Sequence, residues 1–287
     1  MFAYPGTPST EITEYIQESK QAIARNVHRM WSANEKTAME TALGMSYAGK
    51  RALVCMKHVG MNVAADCFMN AAITGANGGL VVTAADDPSM HSSQNEQDSR
   101  RHAIAAKVPM LEPSDSAEAL AFTRLAFALS EEFDTPVLLK MCTRVAHSQS
   151  LVELSDREER QTVPYEKNIA KYVMMPGNAI RRHPAVEERT GRLREWAETA
   201  PINRVEMGGT GLGIITSSTS YQYVKEVFGD SVSVLKLGMA NPLPVRLIRD
   251  FAAKVDKLVV VEELDPIIEE HCRTLGLEVS GKDVLPM

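Results

Sequence analysis

Glu35 is the residue whose position first raises a chemical question. It follows Ser32-Ala33-Asn34 and opens a run of small and apolar residues, EKTAMETALGMSYAG. The spacing Ser32-x-x-Glu35 is that of a capping box, in which the glutamate reaches back to the amide of the N-cap residue. The alternative is a glutamate that does chemistry. The spacing alone favours capping, and the rest of the sequence has to decide between the two interpretations.

Two other segments combine polar side chains with an adaptable backbone. In YPGTPST (4–10), Thr7 is placed to cap a helix whose first residue is Pro8. In KHVGMN (57–62), Gly60 would let the backbone approach a ligand closely. Both segments are therefore candidate binding sites.

Lys57 and His58 lie at the start of the second segment, directly after an apolar run. A strand-end charge and a core-edge histidine are the ordinary explanations for these residues. The long polar segment 85–101 is either a solvated surface loop or a functional loop above a rigid scaffold. The polar residues singled out in it are His91, Ser92, Ser93, Gln94, Asn95, Glu96 and Asp98.

Composition restricts the class of protein. A chain of 287 residues predicts two domains, and its net charge of -6, spread along the sequence, argues against a nucleic-acid binder. No apolar run is long enough to span a membrane, and the start MFAYPGTPST lacks the features of a signal peptide. We therefore expect a soluble, cytoplasmic protein that does not act on a membrane.

The cysteines predict no metal centre in this chain. None belongs to a C-x-x-C pair, so neither zinc nor iron–sulfur ligation is expected from them. They occur singly, at Cys55, Cys67, Cys142 and Cys272.

Residues 1–150 alternate between apolar strand-like runs and segments with helical periodicity. This alternation predicts an α/β domain with a doubly wound parallel sheet covered by helices on both faces. Ligands bind outside the carboxyl ends of such strands, where the three polar segments fall. The clearest strand-like runs are RALVCMK (51–57), GLVVTAA (79–85), VPMLE (108–112) and TPVLLKM (135–141).

The rest of the chain divides into two parts. Residues 151–205 are dense in charge and predict an interdomain arm that wraps a surface and contains one helix near 185–199. Residues 206–287 resume the alternation and predict a second, smaller α/β domain. Its GGTGLG (208–213) precedes a strand, whereas a dinucleotide-binding loop follows one, so we reject that assignment.

Several long motifs together resemble one family. YPGTPSTEI, NEKTAMETALGMSYAGKRALVCMKHVGMNVAAD, ADDPSMHSSQNEQDSR and PSDSAEA occur in this order within the first 150 residues or so. They closely resemble the large, or alpha, subunits of indolepyruvate ferredoxin oxidoreductases, which are thiamin-diphosphate-dependent 2-oxoacid:ferredoxin oxidoreductases. The resemblance implies a thiamin-diphosphate-binding-type, or pyrimidine-binding, domain at 1–150 and a transketolase-C-terminal-like domain at 206–287.

The resemblance also implies roles for the candidate residues. Glu35 would be the glutamate that hydrogen-bonds N1′ of the aminopyrimidine and so promotes removal of the thiazolium C2 proton. This reverses the preference for capping, which becomes a secondary role. The other expected cofactor contacts are Lys57, His58, Gly60 and Asn62, and the expected substrate contacts are Thr7 and His58.

The chain departs from the family pattern in two respects. The family's G-D-G and N-N-type magnesium motifs are absent, the nearest segment being FGDS (228–231), and so are its cluster cysteines. Magnesium needs a cage of oxygen ligands. We therefore expect a partner domain to hold the magnesium of thiamin diphosphate, iron–sulfur clusters to lie on missing or partner domains, and this chain alone to bind the cofactor weakly.

The expected function is that of one component of an oligomeric enzyme. With a diphosphate-binding domain or subunit, a small gamma-type subunit and ferredoxin as partners, it would help to convert an aryl-2-oxoacid such as indolepyruvate to an acyl-CoA. The alternative is a non-catalytic assembly or regulatory subunit that keeps the fold but lacks cofactor binding. The sequence leaves open whether the chain is a truncation or a separate subunit.

Overall fold

The structure, a computed structural model, describes residues 1–157 and 160–284. Residues 158–159 of the predicted arm and 285–287 of the predicted smaller domain lie outside the described residues. None of the described helices is long and apolar enough to cross a membrane.

The first part of the chain builds the larger sheet. Its strands are short or entirely buried, as expected of strands covered on both faces. They are β1 (Phe2–Ala3), β2 (Met30–Trp31), β3 (Ala52–Lys57), β4 (Leu80–Asp86), β5 (Met110–Leu111) and β6 (Val137–Cys142). The helices that connect and follow them are α1 (Thr10–Glu18), α2 (Lys20–Ala24), α3 (Glu35–Tyr47), α4 (His58–Thr74), α5 (Arg100–Ala106), α6 (Ser116–Phe133), α7 (Thr143–His147), α8 (Ile169–Tyr172) and α9 (Pro176–Glu198).

The last part of the chain builds a smaller sheet. Its strands are β7 (Arg204–Glu206), β8 (Gly213–Ser217), β9 (Ser233–Leu237) and β11 (Leu258–Val261), and the helices of this part are α10 (Ser220–Phe228), α11 (Val245–Ala252) and α12 (Ile267–Thr274). Strand β10 (Met239–Asn241) also comes from this part of the chain but belongs to the larger sheet. The sheet orders are β10-β5-β6-β4-β3-β1-β2 and β11-β8-β9-β7. All pairings are parallel except those of the edge strands β10 and β7.

Strand β4 shows why the larger sheet is doubly wound. Val82 and Ala84 point into a core formed with α3, α4 and α5, whereas Val81 and Ala85 point into a core formed with α6 and α9. Successive side chains of a strand face opposite ways, so an unbroken apolar run requires helices on both faces. The predicted fold class, α/β with a doubly wound parallel sheet and a smaller α/β unit, is confirmed.

Three elements differ from the sequence-based expectation. Strand β2 was not predicted, because two residues carry no periodicity. The described residues of the predicted arm form two helices, and α9 begins well before residue 185. The arm also contributes to the core, because Leu193 and Ala197 form an apolar stripe on an otherwise charged helix. Finally, β10 leaves the smaller unit and pairs with β5 of the larger sheet.

A buried ionic cluster links the two sheets. The Arg100 guanidinium lies 2.7 Å from Asp98 and 2.6 Å from Glu262, and all three side chains are almost inaccessible to solvent. Glu262 directly follows β11, and its carboxylate also accepts hydrogen bonds from the first amides of α12. Buried charges of this kind persist only when they are paired. Arg100 therefore fixes the smaller unit against the segment after β4.

We predict that Arg100→Met lowers the free energy of unfolding by about 3–5 kcal/mol, because it leaves buried carboxylates unpaired. The adjacent Arg101 provides the control. Its ion pair with Asp265 is about half exposed, so Arg101→Gln should cost less than ~1 kcal/mol. Urea unfolding of both variants measures the difference, and equal losses would contradict the structural role of Arg100.

Candidate functional site

The candidate residues converge at one edge of the larger sheet. Strands β2, β1, β3 and β4 are parallel neighbours in this order. Their carboxyl ends therefore meet at the same edge, and adjacent strands are about 4.8 Å apart. The segments that follow these strands contain Thr7, Glu35, Lys57 and His58. The sheet topology thus brings together residues that are far apart in sequence.

Glu35 does not form the predicted capping box. The N-cap residue of α3 is Asn34, whose side-chain oxygen accepts a hydrogen bond from the Thr37 amide at 2.9 Å. Glu35 is the first helical residue and is too close to the cap to reach back as an N3 glutamate does. The Ser32 hydroxyl is buried without a hydrogen-bond partner among the described residues. The capping interpretation of Ser32 and Glu35 was therefore wrong, because Asn34 takes the cap position.

The Glu35 side chain is largely buried, and its carboxylate has no protein partner in the described part of the chain. Its side chain is 8% exposed, yet it makes no hydrogen bond or ion pair with residues 1–157 or 160–284. Its position at the N-terminus of α3 favours negative charge. A buried glutamate is ordinarily paired, so this carboxylate is available to a ligand.

Gly60 provides the surface on which Glu35 lies. A Cβ atom added at Gly60 would be 2.6 Å from Cγ of Glu35 and 2.7 Å from its Oε1. Any larger residue at this position of α4 would therefore displace the carboxylate. The sequence predicts that a ligand approaches Gly60 closely. In the structure, the group in contact with Gly60 is the side chain of Glu35, another predicted site residue.

Three other predicted residues hold a loop formed by residues 92–97. Lys57 Nζ donates to the Ser92 carbonyl at 2.9 Å, and Asn62 Nδ2 donates to Gln97 Oε1 at 2.9 Å. His58 Nε2 donates to the Asn95 carbonyl at 3.2 Å. The side chains that were expected to contact the cofactor thus position the 92–97 loop over the junction of β3 and α4.

His58 keeps one acceptor free. Its ring is fully buried, and this burial lowers the pKa of His58, so the ring is neutral near pH 7. Because Nε2 carries the hydrogen that it donates, Nδ1 is an acceptor. Nδ1 has no hydrogen-bond partner in the described part of the chain.

Thr7 lies at this edge but does not cap α1. Helix α1 begins at Thr10 rather than at Pro8, and Thr10 Oγ1 accepts a hydrogen bond from the Gly6 amide at 2.8 Å. The turn is closed by the Ser9 hydroxyl, which donates to the Gly6 carbonyl. The expected cap was wrong, because hydrogen bonds within the turn delay the helix. Gly6 packs against the Lys57 side chain: a Cβ atom added at Gly6 would lie 3.0 Å from Cβ of Lys57. Thr7 therefore lies beside the segment 57–62.

Asp87 is a functional residue that sequence reasoning missed. It accepts hydrogen bonds from the Ser92 amide at 2.8 Å, the Ser93 hydroxyl at 2.5 Å and the Thr143 hydroxyl at 2.7 Å. Burial opposes its ionisation, but hydrogen bonds from Ser93, Ser92 and Thr143 outweigh burial and lower the pKa of Asp87. The signal was Asp-Asp-Pro at the end of a strand, where an aspartate commonly orders the following turn.

Comparison with known proteins places this geometry in a family. Residues 1–200 match the family described as pyruvate flavodoxin/ferredoxin oxidoreductase, thiamine diphosphate-binding. Indolepyruvate oxidoreductase subunit IorA of Archaeoglobus fulgidus is 43% identical over 98% of this chain and 46% of its own length. The IorA subunit of Pyrococcus horikoshii is 41% identical over 99% of this chain and 46% of its own length. The chain spans less than half the length of these curated relatives.

Solved structures show the same fold. A 2-oxoglutarate:ferredoxin oxidoreductase from Magnetococcus marinus matches with a TM-score of 0.77 and 17% identity, over 98% of this chain and 57% of that one. A split-gene transketolase matches with a TM-score of 0.56 and 15% identity, over 98% of this chain and 81% of that one. At these identities the likeness concerns the fold.

We predict that Gly60→Ala lowers the free energy of unfolding by about 1–3 kcal/mol, the usual cost of overpacking. Gly44 of α3 is the matched control, because a Cβ atom there meets nothing within 4 Å. Gly44→Ala should therefore stabilise the protein by about 0.5–1 kcal/mol through helix propensity. Chemical denaturation of both variants tests the Glu35–Gly60 contact, and a stabilised Gly60→Ala variant would show that the contact is absent.

Proposed function

The chain belongs to the pyruvate flavodoxin/ferredoxin oxidoreductase family, and we propose that it is the pyrimidine-binding component of an aryl-2-oxoacid:ferredoxin oxidoreductase. In the assembled enzyme, an aryl-2-oxoacid such as indolepyruvate would be decarboxylated to an acyl-CoA, with its electrons passed to ferredoxin. The relatives named as indolepyruvate oxidoreductase subunits support this substrate class. The observation that carries the proposal is the carboxylate of the largely buried Glu35 side chain, which lies against Gly60 without a protein partner among the described residues.

The residues present fit the aminopyrimidine of thiamin diphosphate. When bound, this cofactor supplies the electron sink that decarboxylation of a 2-oxoacid requires. Glu35 would hold a proton against ring nitrogen N1′, the task for which an unpaired carboxylate at a helix N-terminus is available. Gly60 keeps the Glu35 side chain in place. The Glu35 carboxylate and its contact with Gly60 both belong to this chain.

The remaining parts of the cofactor site are assigned to partners. No three His, Cys, Asp or Glu side chains of residues 1–157 and 160–284 are grouped as a metal site. The cysteines are buried and free. We therefore assign magnesium and the diphosphate to a diphosphate-binding domain or subunit, and iron–sulfur clusters to that or another partner, with a small gamma-type subunit and ferredoxin completing an oligomeric assembly.

Lys57, His58 and Asn62 have a revised role in this proposal. Their hydrogen bonds to the 92–97 loop support a function in shaping the site rather than in holding the cofactor directly. His58 Nδ1 and the Thr7 hydroxyl remain the groups proposed to contact substrate. Thr7 is only partly buried, so its hydroxyl is accessible from this edge.

The proposed domain assignment follows from these roles. Residues 1–150 form the pyrimidine-binding domain, 151–205 the connecting arm and 206–287 the transketolase-C-terminal-like domain. Strand β7 begins at Arg204 and β10 pairs with the larger sheet. The second domain is therefore joined to the first by shared β-structure as well as by the Arg100 cluster.

We predict that Glu35→Gln in the assembled complex lowers turnover by about two to four powers of ten, the usual contribution of an acid–base group. Because Glu35 makes no cap, the free energy of unfolding should change by less than ~1 kcal/mol, the scale of a helix-dipole contribution. Glu40→Gln, in the same helix and exposed, is the control and should retain full turnover.

Steady-state kinetics with indolepyruvate and urea unfolding separate the two effects. If the Glu35→Gln complex turned over as fast as the wild-type complex, the result would contradict a catalytic role for Glu35. A wild-type complex without any 2-oxoacid oxidation would favour the alternative of a non-catalytic assembly subunit.

A further inference from the structure

A cleft of about 440 Å³ lies further along the same sheet edge. It lies between the turn after β4, the start of α7 after β6, and two parts of the smaller unit. Its volume is within the range of sites that bind small organic molecules. The lining residues that matter are His91, Thr143, Arg144, Tyr223 and Glu263.

Arg144 places a cation at this cleft. Its side chain is exposed and makes no hydrogen bond or ion pair with the part of the chain that the structure describes. The adjacent Thr143 is buried and donates to Asp87 at 2.7 Å. The backbone that carries Arg144 is therefore fixed to the turn after β4, and the guanidinium is left to bind a carboxylate.

Glu263 places a hydrogen-bond acceptor at the cleft. Its Oε2 is buried and has no hydrogen-bond partner among residues 1–157 and 160–284. The backbone at Glu263 is held by Arg100, whose Nη2 donates to the Glu263 carbonyl at 2.7 Å. Burial raises the pKa of the Cys142 thiol, and the negative charge of the Glu263 carboxylate raises this pKa further. The Glu263 carboxylate is therefore near Cys142, the last residue of β6. Oε2 has almost no accessible surface, whereas Oε1 keeps accessible surface and has no protein donor among the described residues, so Oε1 is the oxygen that a ligand in the cleft can reach.

Tyr223 supplies an aromatic ring to the lining of the same cleft. It lies on α10, is 48% exposed and makes no hydrogen bond through its hydroxyl to a described residue. A cation, a hydrogen-bond acceptor and an exposed ring around one cleft suit one class of ligand. It is a planar aromatic acid that has a hydrogen-bond donor on its ring.

We propose that this cleft binds the aryl-2-oxoacid substrate, with its carboxylate at Arg144, its ring against Tyr223 and its ring N–H donating to Glu263. The inference rests on the proposed function and names the residues that would select an indole-type substrate. Only β4 separates β6, which precedes Arg144, from β3, which precedes His58 and Gly60. Asp87 joins the two regions, because it binds both Thr143 and the start of the 92–97 loop.

Three related ligands test the contacts by calorimetry on the full chain. Indole-3-acetate has both the carboxylate and the N–H group, 1-methylindole-3-acetate lacks the donor, and indole-3-ethanol lacks the carboxylate. On the wild-type chain, removal of either group should weaken binding by about tenfold, the value of one hydrogen bond to a charged group. Equal affinities for the three ligands would overturn the proposal without any substitution.

Two variants assign each contact to a residue. Arg144→Gln should weaken binding of indole-3-acetate by about tenfold and leave indole-3-ethanol unaffected, whereas Glu263→Leu should weaken indole-3-acetate and leave the 1-methyl compound unaffected. Arg249→Gln in α11 and Glu188→Gln in α9, both exposed and outside the cleft lining, are the controls. Loss of affinity for all ligands alike, or for none, would contradict these contacts.

Kinetics of the assembled complex separate this inference from the proposed function. If the complex oxidises indolepyruvate and Arg144→Gln raises KM by about tenfold, the proposed function and the assignment of the cleft as the substrate site both stand. If it oxidises indolepyruvate with an unchanged KM, the function stands and the cleft is not the substrate site. If it oxidises no aryl-2-oxoacid while the full chain retains the ligand preferences, the function fails and the cleft is still a site for aromatic acids.

Discussion

The arrangement of the sheet edge depends on Glu35, a largely buried side chain whose carboxylate has no protein partner in the described part of the chain. It lies at the start of α3, on the backbone of Gly60 in α4, and the described part of the chain offers it no donor. The N-terminus of a helix favours a carboxylate at this position, and Asn34 rather than Glu35 caps α3. The same features make the carboxylate available to a heterocycle. The site thus depends on a contact that only glycine at position 60 permits.

The second constraint is the buried Arg100 cluster. It fixes the smaller unit against the segment that follows β4, and the same arginine holds the backbone of Glu263. On its other side, the segment after β4 is held by Lys57 and His58, which donate to its backbone carbonyls, and by a hydrogen bond within the segment to Asp87. The loop above the sheet edge is therefore positioned by hydrogen bonds from both sides. A fixed loop of this kind preorganises a site, because little ordering is left to occur on binding.

The sequence predicted the fold and the convergence of the site better than it predicted individual contacts. Apolar runs such as β3 and β4 are explicit signals for a buried parallel sheet, and the sheet then places Glu35, Gly60 and His58 at one edge. The capping box was wrong because two residue types suited to capping, Ser32 and Asn34, competed, and only backbone geometry decides between them. The segment 85–101 looked polar, yet Asp87, Asp98 and Arg100 are buried, because partners within the segment and remote ones such as Thr143 and Glu262 satisfy their charges. Such pairings carry no periodicity that a sequence pattern can reveal.

The central claim is that Glu35 contacts the aminopyrimidine ring of thiamin diphosphate. A cryo-EM structure of the assembled complex with the bound cofactor tests it most directly. We predict a carboxylate oxygen of Glu35 about 2.7–3.0 Å from ring nitrogen N1′, the distance of a charge-assisted hydrogen bond. A cofactor whose N1′ contacts a different residue, with the Glu35 carboxylate turned to a protein donor or to solvent, would contradict the account.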